Sequence, residues 1–459
     1  MLSRLARLRP TRAELREMLA IAGPIVLVSL GQQLMGVVDV VMLGRVSAAE
    51  LAAGGLGNLY FHLTGIAGIG VLLAIDPVVA QAVGAGDEEG VARGVQRGLL
   101  LALLVTVLVA LTALPSERLF TLMRQPAEVT PAAARFVWWS LPGLLPFYLF
   151  VALRQVLQAK HLVRPVLLAV LIGNVLNVAL NWVFIFGHLG VVAGGSIGSA
   201  QATSIARWAM LACLLWTAWP ALGPILTQWR RESFAFAPLG RMLAIGIPIG
   251  LQFFAEVNAF GLVTIMAGWM GTATLAGHEI ALNLASTTFM VPLGVASAAS
   301  VMVGHAIGAG DTAASQRDAV AALALGVGFM AVMGVVLLLA PGPFARLYTA
   351  DATVVLIAAG LLPIAGIFQV FDGMQAVASG ILRGAGDTTA AMVLHVLSFW
   401  GIGVPLSWAL AFPLGLGAAG LWWGLSAGLS TAAVLQLARV RTKLRRPVAR
   451  VTLDHPAIR

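Results

Sequence analysis

Apolar residues in this chain come in long unbroken runs, not in the three-to-four-residue periodicity of a helix on a soluble surface. Crossing a bilayer by helix takes about 20 apolar residues. Twelve runs qualify: about 18–43, 52–80, 95–115, 132–153, 165–187, 196–222, 242–268, 273–303, 319–341, 353–380, 391–412 and 418–438. Hydrocarbon offers bare backbone groups no partners, so each run is predicted to be helical. A membrane barrel needs alternating segments of about 10 residues, and the sequence has none. The pattern predicts an all-α polytopic membrane protein with twelve transmembrane helices.

Composition agrees. Of 459 residues, 59% are apolar and 10% charged, and mean hydropathy is +0.94; soluble domains carry about 25% charged residues. That excludes a soluble enzyme, a disordered chain and a disulfide scaffold, and the single Cys213 has no intrachain partner. The pI is near 11. The basic residues sit in short loops and at the termini, so membrane lipid head groups are their expected neighbours, and no nucleic acid is. Residues 1–17 carry five arginines and lead into a run too long for a signal peptide, so no cleavable signal is expected. With both termini cytoplasmic, 22 of the 28 Lys and Arg residues, among them Arg4, Arg7, Arg9 and Arg459, fall on that side. Five fall outside (Arg45, Arg118, Arg124, Arg135 and Arg346), and Arg207 lies within the sixth run. This bias predicts the orientation.

The chain also repeats itself. Met18-Leu-Ala-Ile-Ala-Gly-Pro-Ile returns as Met242-Leu-Ala-Ile-Gly-Ile-Pro-Ile, a shift of 224, and Val83-Gly-Ala-Gly-Asp87 returns as Ile307-Gly-Ala-Gly-Asp311 at the same shift. Val156 aligns with Ile381 at a shift of 225. The expected organisation is a six-helix bundle over 1–222, a cytoplasmic linker over 223–241, a second bundle over 242–438 and a basic cytoplasmic tail over 439–459. An even number of helices per repeat relates the bundles by an axis along the membrane normal, an arrangement typical of transporters.

Several motifs fall in a characteristic order: Gly31-Gln-Gln-Leu-Met-Gly-Val-Val-Asp39, Met42-Leu-Gly-Arg45, the two Gly-Ala-Gly-Asp loops and Ile249-Gly-Leu-Gln-Phe-Phe-Ala-Glu256. Ala281-Leu-Asn-Leu-Ala-Ser, Met290-Val-Pro-Leu-Gly294 and Gly380-Ile-Leu-Arg-Gly-Ala-Gly-Asp-Thr388 follow. Through these the chain resembles the MATE (multidrug and toxic compound extrusion) transporters, in their NorM-like branch, along essentially its whole length. The resemblance implies a V-shaped pair of bundles in a bacterial inner membrane. It implies export of lipophilic cationic drugs or dyes against inward Na⁺ or H⁺, with no enzymatic activity and no cofactor. A monomer is expected.

Acids inside a membrane are costly and need a reason. The predicted spans enclose five, Asp39, Asp76, Glu256, Glu279 and Asp372, against one arginine, Arg207, apart from residues at helix ends. Asp39 shares a stripe with Gln32, Met35 and Gly36, and Asn174, Asn177 and Asn181 make a polar face on the fifth span. A neutral structural aspartate and asparagine bonds between helices are the alternative. The resemblance makes Asp39, Gln32, Asn177 and Asn181 a polar pocket of the first bundle for substrate or proton. Glu256 stands 15 residues past Arg241, about 22 Å along a helix, with Gln252 one turn below. Asp372 lies eleven residues before Arg383, on a stripe with Gln369, Gln375 and Ser379. Two such carboxylates can converge on a cation or share a proton; a purely structural pair is the alternative. The resemblance places the coupling cation on Glu256 and Asp372, where Na⁺ could bind, and Gln252 and Gln369 could add neutral oxygens. Phe368 stands where Na⁺-coupled members often carry a tyrosine. Asp76, before Pro77, is expected to accept from backbone amides near a kink, and Glu279 to be a solvated vestibule acid.

Other patterns are decoys. Gly194-Gly-Ser-Ile-Gly198 fits G-x-S-x-G but opens a membrane helix, where Ser196 is expected to be an N-cap. His278-Glu279 is no metalloprotease motif, since position 282 is Leu. The rival function is a lipid-linked oligosaccharide flippase of the same superfamily, which needs basic residues for pyrophosphate where this chain offers mainly acids.

Overall fold

The computed structural model describes residues 11–454; Arg4, Arg7, Arg9 and Arg459, counted in the charge bias, lie outside them. Thr11 opens the first helix with a reciprocal capping box: its hydroxyl accepts from Glu14 N–H at 3.2 Å and its own N–H donates to the Glu14 carboxylate at 2.8 Å. The first half comprises α1 (Arg12–Gly44), α2 (Ala48–Leu72), α3 (Ile75–Gly84), α4 (Glu88–Ala113), α5 (Thr130–Ser140), α6 (Leu144–Ala159), α7 (Arg164–Phe186), α8 (Gly195–Thr217) and α9 (Trp219–Thr227). The second comprises α10 (Phe236–Trp269), α11 (Thr272–Gly308), α12 (Thr312–Leu339), α13 (Ala352–Gly384), α14 (Thr388–Ser398), α15 (Val404–Ala411) and α16 (Gly417–Leu444), and each half adds one short helix, Ser116–Leu122 and Pro341–Arg346. Among the described residues, eleven helical segments are long and apolar enough to span a membrane, and twelve if α8 and α9 count as one. The chain is an all-α polytopic membrane protein.

Some prolines lie within unbroken helices and others sit just after a break. Pro24, Pro248, Pro292 and Pro363 lie inside continuous helices. The second span instead divides at Leu73–Ala74, and the eleventh passes through a π-helical turn, Phe399–Gly403, ahead of Pro405. The expected sixth span, 196–222, ends at Thr217, and α9 turns away by 95°. Pro220 in the first turn of α9 accounts for this, because its ring cannot continue the preceding helix. The segment expected as a linker, 223–241, is therefore partly helical. Gln96 of α4, fully buried, holds it: the amide donates to Ile225 O and Gln228 O at 2.9 Å each, and its oxygen accepts from Arg230 N–H and Ser233 Oγ.

The two halves meet toward the end of the bundle that carries both termini, and the meeting is twofold. Gly70 of α2 packs on Gly250 of α10, where an added Cβ would stand 2.4 Å from the glycine Cα. Residues 224 further on in one partner and 224 back in the other form the matching contact, Gly294 of α11 on Val26 of α1. Likewise Gly84 abuts the His305 carbonyl while Gly308, its repeat, abuts the carbonyl of Gln81, the repeat of His305. Only glycine allows helix backbones this close. An apolar cluster joins Met18, Ile21 and Ile25 of α1 to Ala299, Met302 and Ile381 of the second half.

Polar ties cross the same seam. Asp76 does not cap backbone amides at a kink as expected: its carboxylate pairs with Arg383 of α13 at 3.0 Å and accepts from Gln155 at 2.5 Å. Gln81 donates to Gly384 O at 2.8 Å. Arg154 and Arg383, assigned to loops by the charge count, thus lie within helices, and Arg383 is buried. A basic partner offsets part of the cost of burying an acid.

Candidate functional site

In the first half Asp39 lies near the far end of α1, 6% exposed. Its carboxylate is fully engaged: Asn181 donates to Oδ1 at 2.6 Å, Asn177 to the same oxygen at 3.2 Å and the Thr203 hydroxyl to Oδ2 at 3.0 Å. Asn177 also donates to Thr203, and Asn181 to Asn177, so α1, α7 and α8 share one network. Arg207, one turn past Thr203, adds positive charge within reach of Asp39 and stacks over the Phe147 ring at 4.7 Å. Two residues of the expected stripe go elsewhere. Gln32 accepts from Arg154 at 2.7 Å, two turns from Asp39, and Asn174 donates to Gly31 O and Val170 O, tying α7 to α1.

In the second half a small cavity of about 30 Å³ lies between α10, α11, α13 and α14. Glu256 and Gln252 line it from α10, Gln375, Ser379 and Arg383 from α13, and Phe289 and Leu293 give it an apolar wall. Asp372, one turn from Gln375 and 6% exposed, lies within electrostatic reach of Glu256. Neither carboxylate has an arginine or lysine ion-pair partner among the described residues: Arg383 on the same cavity wall pairs with Asp76, and Glu256 has the His395 Nε2 of α14 3.6 Å away. Below Glu256 runs a chain of amides. Gln252 and Gln375 donate to Ser379 Oγ at 2.9 and 3.2 Å, Ser379 donates to Gln436 at 2.8 Å, and Gln375 also contacts His395 Nδ1 at 3.1 Å. The buried oxygens of Gln369 and Gln375 accept from no donor among the described residues. Gln369 itself turns to α11, donating to Thr288 at 2.8 Å, so only its oxygen is free. Phe368 packs against Phe260 and Trp422 and brings no oxygen.

The repeat explains the missing counter-charge. Glu256 occupies the position of Gln32, shifted by 224, and Ser379 that of Arg154, shifted by 225. In the first half Arg154 reaches Gln32; in the second the acid is present and the arginine is replaced by a hydroxyl. His395 was absent from the sequence-level site, although an ionisable residue inside the apolar run 391–412 is itself a signal. Gln436 and Thr203 carry no comparable mark. Glu279 is exposed, and Ser196 is not a cap: Gly194 holds that position, and Ser196 N–H donates to Glu50 of α2 at 2.5 Å.

A two-part helical membrane fold with acids in both halves and a cavity in one defines a transporter-type protein. The chain belongs to the MatE family, whose model matches residues 24–183 and again 248–409. A protein named "Probable multidrug resistance protein NorM" from Rhizobium meliloti (strain 1021) is 38% identical over 443 residues, 94% of each chain. The "Multidrug resistance protein MdtK" of Edwardsiella ictaluri (strain 93-146) is 31% identical over 95% of this chain and 96% of its own. The fold matches the crystal structure of the eukaryotic MATE transporter AtDTX14 with a TM-score of 0.84 at 22% identity, over 94% of this chain and 99% of that one.

Proposed function

We propose that this protein is a multidrug efflux transporter of a bacterial inner membrane. It exports lipophilic organic cations in exchange for inward Na⁺ or H⁺, with both termini in the cytoplasm, as an assembly of two six-helix bundles. The names of its relatives support drug export, and the observation that carries the coupling is the pair of half-buried Glu256 and buried Asp372, beside a cavity and without a fixed arginine or lysine partner among the described residues. Two acids this close, one of them buried, demand a counter-charge. A cation or proton supplies it, and the free oxygens of Gln369 and Gln375 suit a hard cation such as Na⁺.

Coupling follows from differential affinity, because a ligand shifts a conformational equilibrium only by binding its states unequally. With the cation bound, the charge is balanced and the second half can close around it; without it, repulsion and hydration favour a wet, open cavity. The Asp39 network serves the drug, whose positive charge the carboxylate attracts while the asparagines keep it in place.

The test is transport in proteoliposomes with Na⁺ and pH gradients imposed separately. Ethidium export driven by one gradient alone identifies the coupling ion; export driven by neither overturns the antiport reading. Redistribution of lipid-linked precursors without drug export would favour the flippase, which the acid-rich interior argues against.

A further inference from the structure

The segment expected as a free basic tail is bound across the seam between the halves. Its start belongs to the second half: α16 ends at Leu444, whose carbonyl accepts from Gln316 of α12 at 2.6 Å. Its far end belongs to the first half. Arg450 pairs with Asp87 in the loop before α4 at 2.5 Å, and Asp454 pairs with Arg93 at 2.9 Å and Arg97 at 2.5 Å on α4. Between these, Val451 N–H donates to Gln81 of α3 at 2.7 Å, and the same Gln81 side chain holds Gly384 O of α13. Leu453 is 5% exposed, packed in the first-half core, and its carbonyl accepts from Arg241 at the start of α10.

Exposed ion pairs alone contribute little. Here the Arg97 side chain is 1% exposed and also holds Glu232 O of the linker, and the buried Leu453 fixes the register between two ion-paired ends. The carboxyls respond to these partners. Burial raises the pKa of Asp454, but the hydrogen bond and charge of Arg97, with Arg93, outweigh it and hold it below the usual carboxylate value. The backbone N–H of Gly90 and the Arg450 guanidinium do the same for Asp87.

We propose that residues 445–454 form a latch that holds the terminus-bearing end of the seam shut, and that alternating access requires its release from the first half. Opening that end separates α3 from α11 and α13. The latch opposes this because it is covalently joined to α16 and ion-paired to α4. Its grip is independent of the acids in the two candidate sites, so it sets how often the seam opens, whichever ion or drug is carried.

The experiment uses the full-length protein in a Cys213→Ser background with Ala80→Cys as reporter. Ala80 is fully buried in the seam, facing Gly304. Labelling by a water-soluble maleimide is timed in the parent, in a chain ending at Leu444, and in the full-length Arg450→Gln/Asp454→Asn variant. The latch predicts at least fivefold faster labelling in both variants, and the full-length one decides if the truncated chain misfolds. Labelling at the parent rate in the folded full-length variant overturns the proposal. A second arm bridges Gln81→Cys to Val451→Cys with a short reducible bis-thiol reagent. Ethidium export is expected to stop on bridging and return on reduction, and export at the parent rate with the bridge complete overturns it independently.

Discussion

The first half surrounds its acid with donors, and the second leaves its acids short of them. Asp39 accepts from Asn177, Asn181 and Thr203, whereas Asp372 accepts from no side chain among the described residues and Glu256 has His395 only at 3.6 Å. The two halves share a scaffold, down to the paired contacts of Gly70 on Gly250 and Gly294 on Val26. A repeat preserved in its packing and altered in its polar positions is how one fold holds two different jobs. A satisfied acid keeps a pocket in one shape; an unsatisfied one waits for a charge.

The largest effect is expected where that contrast is erased. Ser379→Arg restores in the second half the arginine that the first half has at Arg154, and a fixed guanidinium beside Glu256 takes the place of the coupling cation. Ion-gradient-driven export should fall by more than about tenfold, the equivalent of about 1.4 kcal/mol, and Glu256→Gln should do the same by removing the charge. Normal gradient-driven flux in both variants would move the coupling site out of this cavity.

Asp39 gives the next effect. Asp39→Asn keeps the size and much of the bonding, so the folded protein should remain while drug export drops severalfold. Asp39→Ala leaves buried donors unmade, at about 1–3 kcal/mol, and thermal unfolding in detergent should show it as a lower melting temperature than Asp39→Asn. Equal melting temperatures would mean that the network does not hold the pocket.

Packing at the seam provides a smaller and sharper contrast. Gly70→Ala drives a methyl into backbone, 2.4 Å from Gly250 Cα, while Gly294→Ala first meets the Val26 Cγ2 at 2.4 Å. A side chain yields more readily than a helix backbone. Overpacking costs about 1–3 kcal/mol, so Gly70→Ala should sit at the upper end and Gly294→Ala at the lower, read from the same melting curves.

The smallest effect is on pH. Asp87 and Asp454 are held below their ordinary value of 3.8, so their ion pairs stabilise above it and are lost only as pH falls through the still lower folded values. Labelling of Ala80→Cys, taken relative to an exposed reference cysteine that corrects for the falling thiolate fraction, should therefore not change between pH 8 and pH 6. A rise in that relative rate within the window would mean that groups other than these two carboxylates hold the seam.

The sequence determined the class of protein, the helix count, the repeat and the acids, because unbroken apolar runs and buried charges are dictated by the cost of placing polar groups in hydrocarbon. It marked Asn177 and Asn181 as one face, since helical spacing aligns them on α7, while only the family resemblance joined Asp39 of α1 to them. It did not show that Gln32 turns to Arg154, that Asp76 bridges to Arg383 of the other half, or that His395 stands beside Glu256. Those pairings join residues far apart in the chain, and a linear pattern contains no term for them. The tail shows the same division. Its arginines read as a basic cytoplasmic tail beside lipid head groups, yet Asp87, Gln81 and Arg97 claim it once the halves fold together. Local periodicity fixes what each helix can bury; only the packing of one half against the other decides which buried charges find partners and which are left for a ligand.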